Sequence, residues 1–231
     1  MSDNTKPPGF DPLDPTLAQV LPVLLMDALL HSDVLRARKD LGESDPTEYH
    51  RRQYIRAVFA QLEGATFGIK QLAIPSRNSS LSDAELALLR GETYRLNELG
   101  EAVIGAARIT LPSDMRFAFK MYAKSVGFDY DLPVKDPEWA ALMRARKVRD
   151  RLMHPRTPKD LEITDEELED ATQAAKWFQT RHRELLELMM DQLARNGGMN
   201  ESEVSIWREE RGRIIRDEIA KHGEARQDDA I

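Results

Sequence analysis

Two residue types suited to phosphodiester chemistry stand five positions apart in the second half of the chain. Arg149 is followed by Asp150, and His154 comes directly before Pro155. A histidine exchanges a proton near neutral pH, and an arginine keeps its charge while its planar fork contacts two phosphate oxygens. An imidazole acting as base or acid, with a guanidinium stabilising the charged phosphorane, is sufficient to cleave RNA through its 2′-hydroxyl. No metal ion or cofactor is needed, and we predict none.

The proline fixes where the helix that carries these residues ends. Pro155 lacks an N–H and disfavours the α conformation for the residue before it, so the helix should stop at Met153 or His154. On an ideal helix, residues five apart lie about 140° around the axis from each other. Arg149 and His154 of one chain therefore do not share a face. A two-fold dimer that brings two such helix ends together would place both residue types in one cleft.

The same helix is strongly basic in an acidic protein. Residues 144–156 carry six basic residues against one acid, a formal charge of +5, which leaves −12 for the remainder of a chain whose total is −7. Phosphate is the obvious partner for such a segment. The alternative is a solvated helix face whose terminal cations are favoured by the macrodipole. The basic residues are Arg144, Arg146, Lys147, Arg149, Arg151 and Arg156.

Residues 149–154, reading R-D-R-L-M-H, resemble the core motif of the HEPN superfamily of helical-bundle proteins. That motif is an arginine, four to six residues of which the first is polar, and a histidine; residues 139–161 are similar to the family's penultimate helix and exit turn. The resemblance implies an all-α, antiparallel helical bundle with extra helices. It also implies a metal-independent endoribonuclease that forms a homodimer, leaves 2′,3′-cyclic phosphate ends and serves as a toxin or phage-defence effector, with an antitoxin or other regulatory protein as a possible partner.

The resemblance assigns catalysis to Arg149 and His154 and leaves an alternative open, a non-catalytic module that binds RNA, a nucleotide or a partner protein. Glu63 lies beside an apolar helix stripe, where it is either an exposed carboxylate or the partner of an arginine. Members silenced by nucleotide transfer carry a tyrosine two residues after the histidine, whereas this chain has Arg156. The residues expected to support the site or bind RNA are Asp150, Arg146, Lys147, Arg151, Arg156 and Glu63.

Composition limits the other classes of function. The 231 residues include no cysteine, which excludes thiolate chemistry and disulfides. The N-terminus does not resemble a signal peptide, and the longest apolar run, 20–30, is short and contains Asp27. We therefore predict a cytoplasmic protein without a membrane partner. His50 and His182 each adjoin arginine and are expected at the surface.

Apolar periodicity divides the chain into helices. We expect a disordered lead at 1–15, a helical bundle at 16–196, an amphipathic helix at 199–221 and a disordered tail at 222–231. Asp45 should cap the second helix, while Ser82 and Thr164 should begin capping boxes. The helix after Ser82 is expected either to run past Gly91 to residue 99 or 104, or to break at one of the glycines that weaken it, Gly91, Gly100 and Gly105. No alternating pattern indicates a strand.

Overall fold

The computed structural model describes residues 15–42, 47–74 and 81–196, with four isolated helical positions at 202, 205, 209 and 213. The predicted lead, the tail at 222–231 and most of the C-terminal helix at 199–221 lie outside these residues. The described chain is mostly helical, as predicted, with one small β-hairpin. Its elements are α1 (Pro15–Leu41), α2 (Glu48–Ala73), α3 (Asp83–Leu89), β1 (Glu92–Leu96), β2 (Ala102–Ala106), α4 (Leu111–Val126), α5 (Pro137–Met153), a 3₁₀ turn (Pro158–Leu161) and α6 (Asp165–Asn196).

Helix α2 is the centre of the bundle and contacts α1, α4, α5 and α6. Its apolar residues recur every three or four positions, so they line one side of the helix and are buried there. Aromatic contacts connect the helices within this core. Phe119 of α4 packs edge-on against Phe178 of α6, with the ring centroids 6.0 Å apart. The buried α2 residues include Tyr54, Val58, Phe59, Leu62, Ala65 and Ile69.

Helices α1 and α2 run antiparallel and approach closely at two glycines. A Cβ added to Gly68 would meet a Val23 methyl carbon at 2.5 Å, and a Cβ on Gly64 would collide with Leu30. In the same interface the amide of Gln61 lies 3.3 Å from the ring of His31. Side chains at these two α2 positions would push α1 away, so the sequence keeps them small where the helices touch.

Two of the three predicted helix starts are confirmed. Ser82 accepts from the Glu85 N–H, and Glu85 accepts in return from the Ser82 N–H at 2.7 Å. Thr164 and Glu167 form the same reciprocal pair. The predicted start of α2 at Asp45 was wrong, because Thr47 is the N-cap and the first helical residue follows it.

Of the two courses expected for the helix after Ser82, the long helix was wrong and the break is observed. Helix α3 ends at Leu89, and Gly91 adopts φ +73°, a left-handed conformation that breaks the helix without strain. An antiparallel hairpin follows, with Tyr94 opposite Ile104. Its loop is closed by the Asn97 side chain, which accepts from the N–H groups of Leu99 and Glu101. Thr, Tyr, Val and Ile are favoured in β-strands, which explains why this segment forms a hairpin and does not continue α3.

In the ranges that the structure describes, no helix combines the length and apolar character needed to cross a lipid bilayer.

Candidate functional site

Helix α5 presents the predicted catalytic residues because one side of it is buried in the bundle. Leu142, Val148 and Leu152 face the core, which leaves the charged residues between them at the surface. The helix ends at Met153, as the proline predicts, and His154 is its C-cap with φ −134° and ψ 56°. The His154 N–H donates to the Arg151 carbonyl at 3.3 Å, and its side chain is exposed.

Arg149 is held in a fixed orientation by two carboxylates. Its Nη2 donates to Glu63 Oε1 of α2 at 2.6 Å, and its Nη1 donates to Asp150 Oδ1 at 3.2 Å. The side chain is 28% exposed, so solvent screens the ion pair only in part. These two bonds leave three of the five guanidinium N–H donors for another acceptor. Glu63 was predicted to be either an exposed or rim carboxylate or the partner of a core arginine. It pairs with Arg149, but its own side chain is still 42% exposed.

A cavity of about 310 Å³ opens beside this guanidinium. Arg146 and Arg149 line it from α5, and Glu63 lines it from α2. Arg146 also lies 3.5 Å from Asp150, so both arginines share that carboxylate. Asp114, which lines the cavity from α4, is neutralised by Lys70 at 2.9 Å. The cavity is therefore close to neutral, and a phosphate that enters must compete with carboxylates for Arg149. Phe59, Ile109, Leu111 and Asp150 complete the lining.

The remaining basic residues of α5 and of the turn after it divide into paired and unpaired cations. Arg144 makes a two-pronged contact with Asp170 of α6, at 2.6 and 2.8 Å. Arg151 pairs with Glu167 and also donates to the backbone carbonyls of two exit-turn residues. Lys147 and Arg156 are exposed and form no ion pair within the described ranges. Four of the six cations thus meet carboxylates, and the predicted basic surface is largely neutralised.

The exit turn depends on these pairs for its shape. Burial acts to raise the pKa of Glu167, but the Arg151 guanidinium and the Thr164 N–H together hold it below its ordinary value. The pKa of Asp160 is also lowered, because its carboxylate accepts from the backbone N–H groups of Arg156 and Thr157. Arg151, expected to bind RNA, therefore fastens the turn that follows His154.

No family model matches the chain, and no curated protein or solved structure matches it. The function of the site must therefore be inferred from the contacts of Arg149, from the cavity beside it and from the motif at residues 149–154.

The structure brings Arg149, Asp150, Glu63 and Arg146 around one cavity, but His154 is not among the side chains that line it. Four lining residues were not predicted from the sequence, namely Phe59, Ile109, Leu111 and Asp114. Nothing local distinguishes them, since they line the cavity because the start of α4 packs on α2. In the described part of the chain, no group of three or more histidine, aspartate or glutamate side chains is arranged to hold a metal ion.

The prediction that His182 lies at the surface was wrong. Its side chain is buried in the bundle, with Nδ1 3.4 Å from Asp27 Oδ2 of α1 and its ring against Phe178. Burial lowers the pKa of His182, and the nearby Asp27 carboxylate opposes that effect only in part. The arginines next to His182 in the sequence do not indicate that His182 is exposed, because neighbouring residues on a helix point about 100° apart.

Proposed function

We propose that this protein is a metal-independent endoribonuclease in which Arg149 and His154 act on the scissile phosphate. The observation that carries the proposal is the state of Arg149, held by Glu63 and Asp150 at the edge of a cavity with N–H donors to spare. A guanidinium fixed before substrate arrives stabilises transition-state charge without the cost of reorientation. His154 supplies the titratable group, at an exposed helix end beside Pro155.

In the proposed reaction the substrate's own 2′-hydroxyl is the nucleophile. A base takes its proton, the 2′-oxygen bonds to phosphorus, and the bond to the 5′-oxygen breaks as that oxygen receives a proton. The products are a 2′,3′-cyclic phosphate and a free 5′-hydroxyl. His154 is the base or the acid, and Arg149 donates to the non-bridging oxygens. The phosphate meets the three N–H donors of Arg149 that neither Glu63 nor Asp150 occupies.

A second copy of the chain completes the site in this proposal. Arg149 faces the cavity, whereas His154 lies outside the cavity lining and five residues further along the helix. A two-fold axis near the end of α5 would carry the partner's imidazole towards this guanidinium. The motif's resemblance to HEPN proteins also supports a toxin or phage-defence effector, controlled by an antitoxin or another regulatory protein.

The second candidate is a non-catalytic module that binds RNA, a nucleotide or a partner protein. The carboxylates that meet four of the six cations in residues 144–156 favour the partner-protein form of this module, because they weaken phosphate capture and do not assist proton transfer. Growth of cells that express the protein separates the two candidates. A ribonuclease should slow growth and its His154→Ala variant should not, whereas a binding module should have no such difference.

The direct test is cleavage of labelled RNA by identically purified wild type, Arg149→Ala and His154→Ala in EDTA. We expect each substitution to slow cleavage by about 10²- to 10³-fold, because each removes a preorganised charge or a proton carrier. Lys176→Ala is the control, since Lys176 is an exposed cation on α6, outside the motif, and has no carboxylate partner among the described residues.

Equal cleavage by all four proteins would assign the activity to another site or to a contaminant. Loss of wild-type cleavage in EDTA would reject the metal-independent reaction. Products that end in 3′-hydroxyl groups would exclude attack by the 2′-oxygen.

A further inference from the structure

A second groove, outside the Arg149 site, lies between α4 and the loop that leads into α5. Its volume is about 560 Å³, larger than the cavity beside Arg149. Arg116, Phe117 and Lys120 line it from α4, and Leu132 and Lys135 line it from the loop. None of these residues belongs to the motif, and none takes part in the proposed cleavage step.

The cations of this groove differ from those of α5 because few of them are neutralised. Arg116 and Lys120 are one helical turn apart and point to the same side of α4. Arg116 and Lys135 form no ion pair in the ranges described, and both are exposed. Lys120 lies 3.4 Å from Asp131, but the two side chains are 60% and 88% exposed, so the pair is weak. The groove therefore keeps a formal charge of +2 in an acidic chain.

An apolar floor lies under these cations. Leu132 is buried, and Phe117 and Val134 are half-buried, so the groove offers a partly exposed aromatic ring between positive side chains. An aromatic surface flanked by cations is the arrangement that single-stranded nucleic acids use, with bases on the ring and phosphates on the rim. A duplex would present only phosphates here, because its bases are already stacked on one another.

The groove and the Arg149 cavity are both lined by residues at the start of α4. Leu111 and Asp114, in the first turn of α4, line the cavity, whereas Ser113 and Arg116 line the groove. Residues two apart on a helix point about 200° apart, so the cavity and the groove lie on different sides of α4. An RNA strand that occupies both must pass around the start of this helix.

We propose that the α4 groove binds nucleotides of a single-stranded RNA that flank the one held beside Arg149. The inference rests on the proposed ribonuclease function and adds a subsite that selects unpaired substrate. An acidic protein segment is the competing occupant, since it would satisfy the cations but has no flat base to place on Phe117.

The test measures binding of a fluorescein-labelled single-stranded 12-mer in which every sugar is 2′-O-methylated, so that it cannot be cleaved. The groove variant is Arg116→Ala/Lys120→Ala/Lys135→Ala. Its control, Arg56→Ala/Lys176→Ala/Arg183→Ala, removes three exposed cations from α2 and α6. If each groove cation contacts one phosphate, the salt slope should fall by about 2 and affinity by about 100-fold at 0.1 M salt. The control should bind as wild type does.

The aromatic floor has its own pair of variants. Phe117→Leu keeps an apolar side chain and removes the ring, so binding should weaken about 5- to 100-fold. Phe117→Tyr keeps the ring and should bind normally. If Phe117→Leu fails to fold, as judged by circular dichroism, the three exposed cations decide the question alone.

Equal RNA binding by the groove and control variants would overturn the proposal, whether or not Arg149 and His154 prove catalytic. Competition by polyglutamate as effective as that by unlabelled RNA of equal length would also overturn it, in favour of an acidic protein. Cleavage of a dinucleotide, too short to reach the groove, should be the same for wild type and the groove variant. A chain that does not cleave RNA but binds it through the groove would reject the ribonuclease and retain the subsite.

Discussion

Helix α5 and the groove beside α4 both present clustered cations, but the two clusters are built differently. On α5, Arg144, Arg149 and Arg151 each meet a carboxylate from another helix at 2.6 to 2.8 Å. On α4, Arg116 meets none in the described residues, and Lys120 meets only an exposed aspartate. A larger fraction of the cations is thus paired in the cluster that is denser in the sequence.

The difference shows what sequence charge counts omit. The acids that neutralise α5 come from α2 and α6, up to 86 residues away. A buried or half-buried cation on a packed helix needs such a partner, because desolvation is costly without one. Cations on an exposed rim do not need one. In the described part of this chain, unpaired cations are found beside the apolar α4 groove, where basic residues are few, and less often on α5, where basic residues are most numerous.

The largest effect that separates the two clusters should appear in stability. Arg151→Ala removes two bonds to Glu167 and two to backbone carbonyls of the exit turn, and it leaves Glu167 without its cation. We expect a loss of about 2–3 kcal/mol in the free energy of unfolding. Arg116→Ala, at an unpaired exposed site, should change it by less than about 0.5 kcal/mol. Urea unfolding followed by circular dichroism measures both.

Similar losses for the two variants would erase the distinction between structural and free cations. A destabilised Arg116→Ala variant alone would reverse it, and the α4 groove would then be part of the bundle's framework.

Two histidines, one buried and one exposed, should differ in how they link stability to pH, with a smaller expected effect. His182 is buried, and its pKa lies below the ordinary value of 6.5, so the unfolded chain binds the proton more readily. Its contribution to stability is complete above pH 6.5 and is lost as the pH falls towards the folded pKa. We expect stability to decline from pH 7.5 to 5.5 in wild type and to decline less in His182→Gln. His154→Gln, which alters an exposed histidine, should follow wild type.

Identical pH slopes in all three proteins would show that His182 does not link protonation to folding. The same series is a control for cleavage assays at low pH. A loss of cleavage can be assigned to His154 only at pH values where the bundle remains folded.

Much of the helical framework could be predicted from local physics. The end of α5 at Met153 followed from Pro155, and the capping boxes at Ser82 and Thr164 followed from reciprocal side-chain and backbone pairing. These features depend on neighbours within four residues. The hairpin could not be predicted in this way, because two five-residue strands with Leu, Ala and Gly show no clear polar alternation, and Gly91 is compatible with a weak helix as well as with a break.

Part of the cavity lining could be predicted from the sequence. Arg146, Arg149 and Asp150 were expected near the site and line the cavity, and Glu63 was recognised as a possible arginine partner. That Arg149 and His154 act together remains a prediction. That Arg151 fastens the exit turn, and that Asp114 reaches the cavity wall, depend on how α4, α5 and α6 pack. Such contacts join residues distant in the chain, and one sequence carries no local signal for them.

Mixing two inactive variants decides whether the proposed site is shared between two chains. Arg149→Ala keeps His154, and His154→Ala keeps Arg149, so a mixed dimer holds one site with both residues. If the variants are combined in equal amounts and allowed to exchange subunits, random pairing should restore about a quarter of wild-type cleavage in EDTA. Each variant alone should remain inactive. A mixture no more active than its components, with subunit exchange verified, would contradict a site shared between two chains.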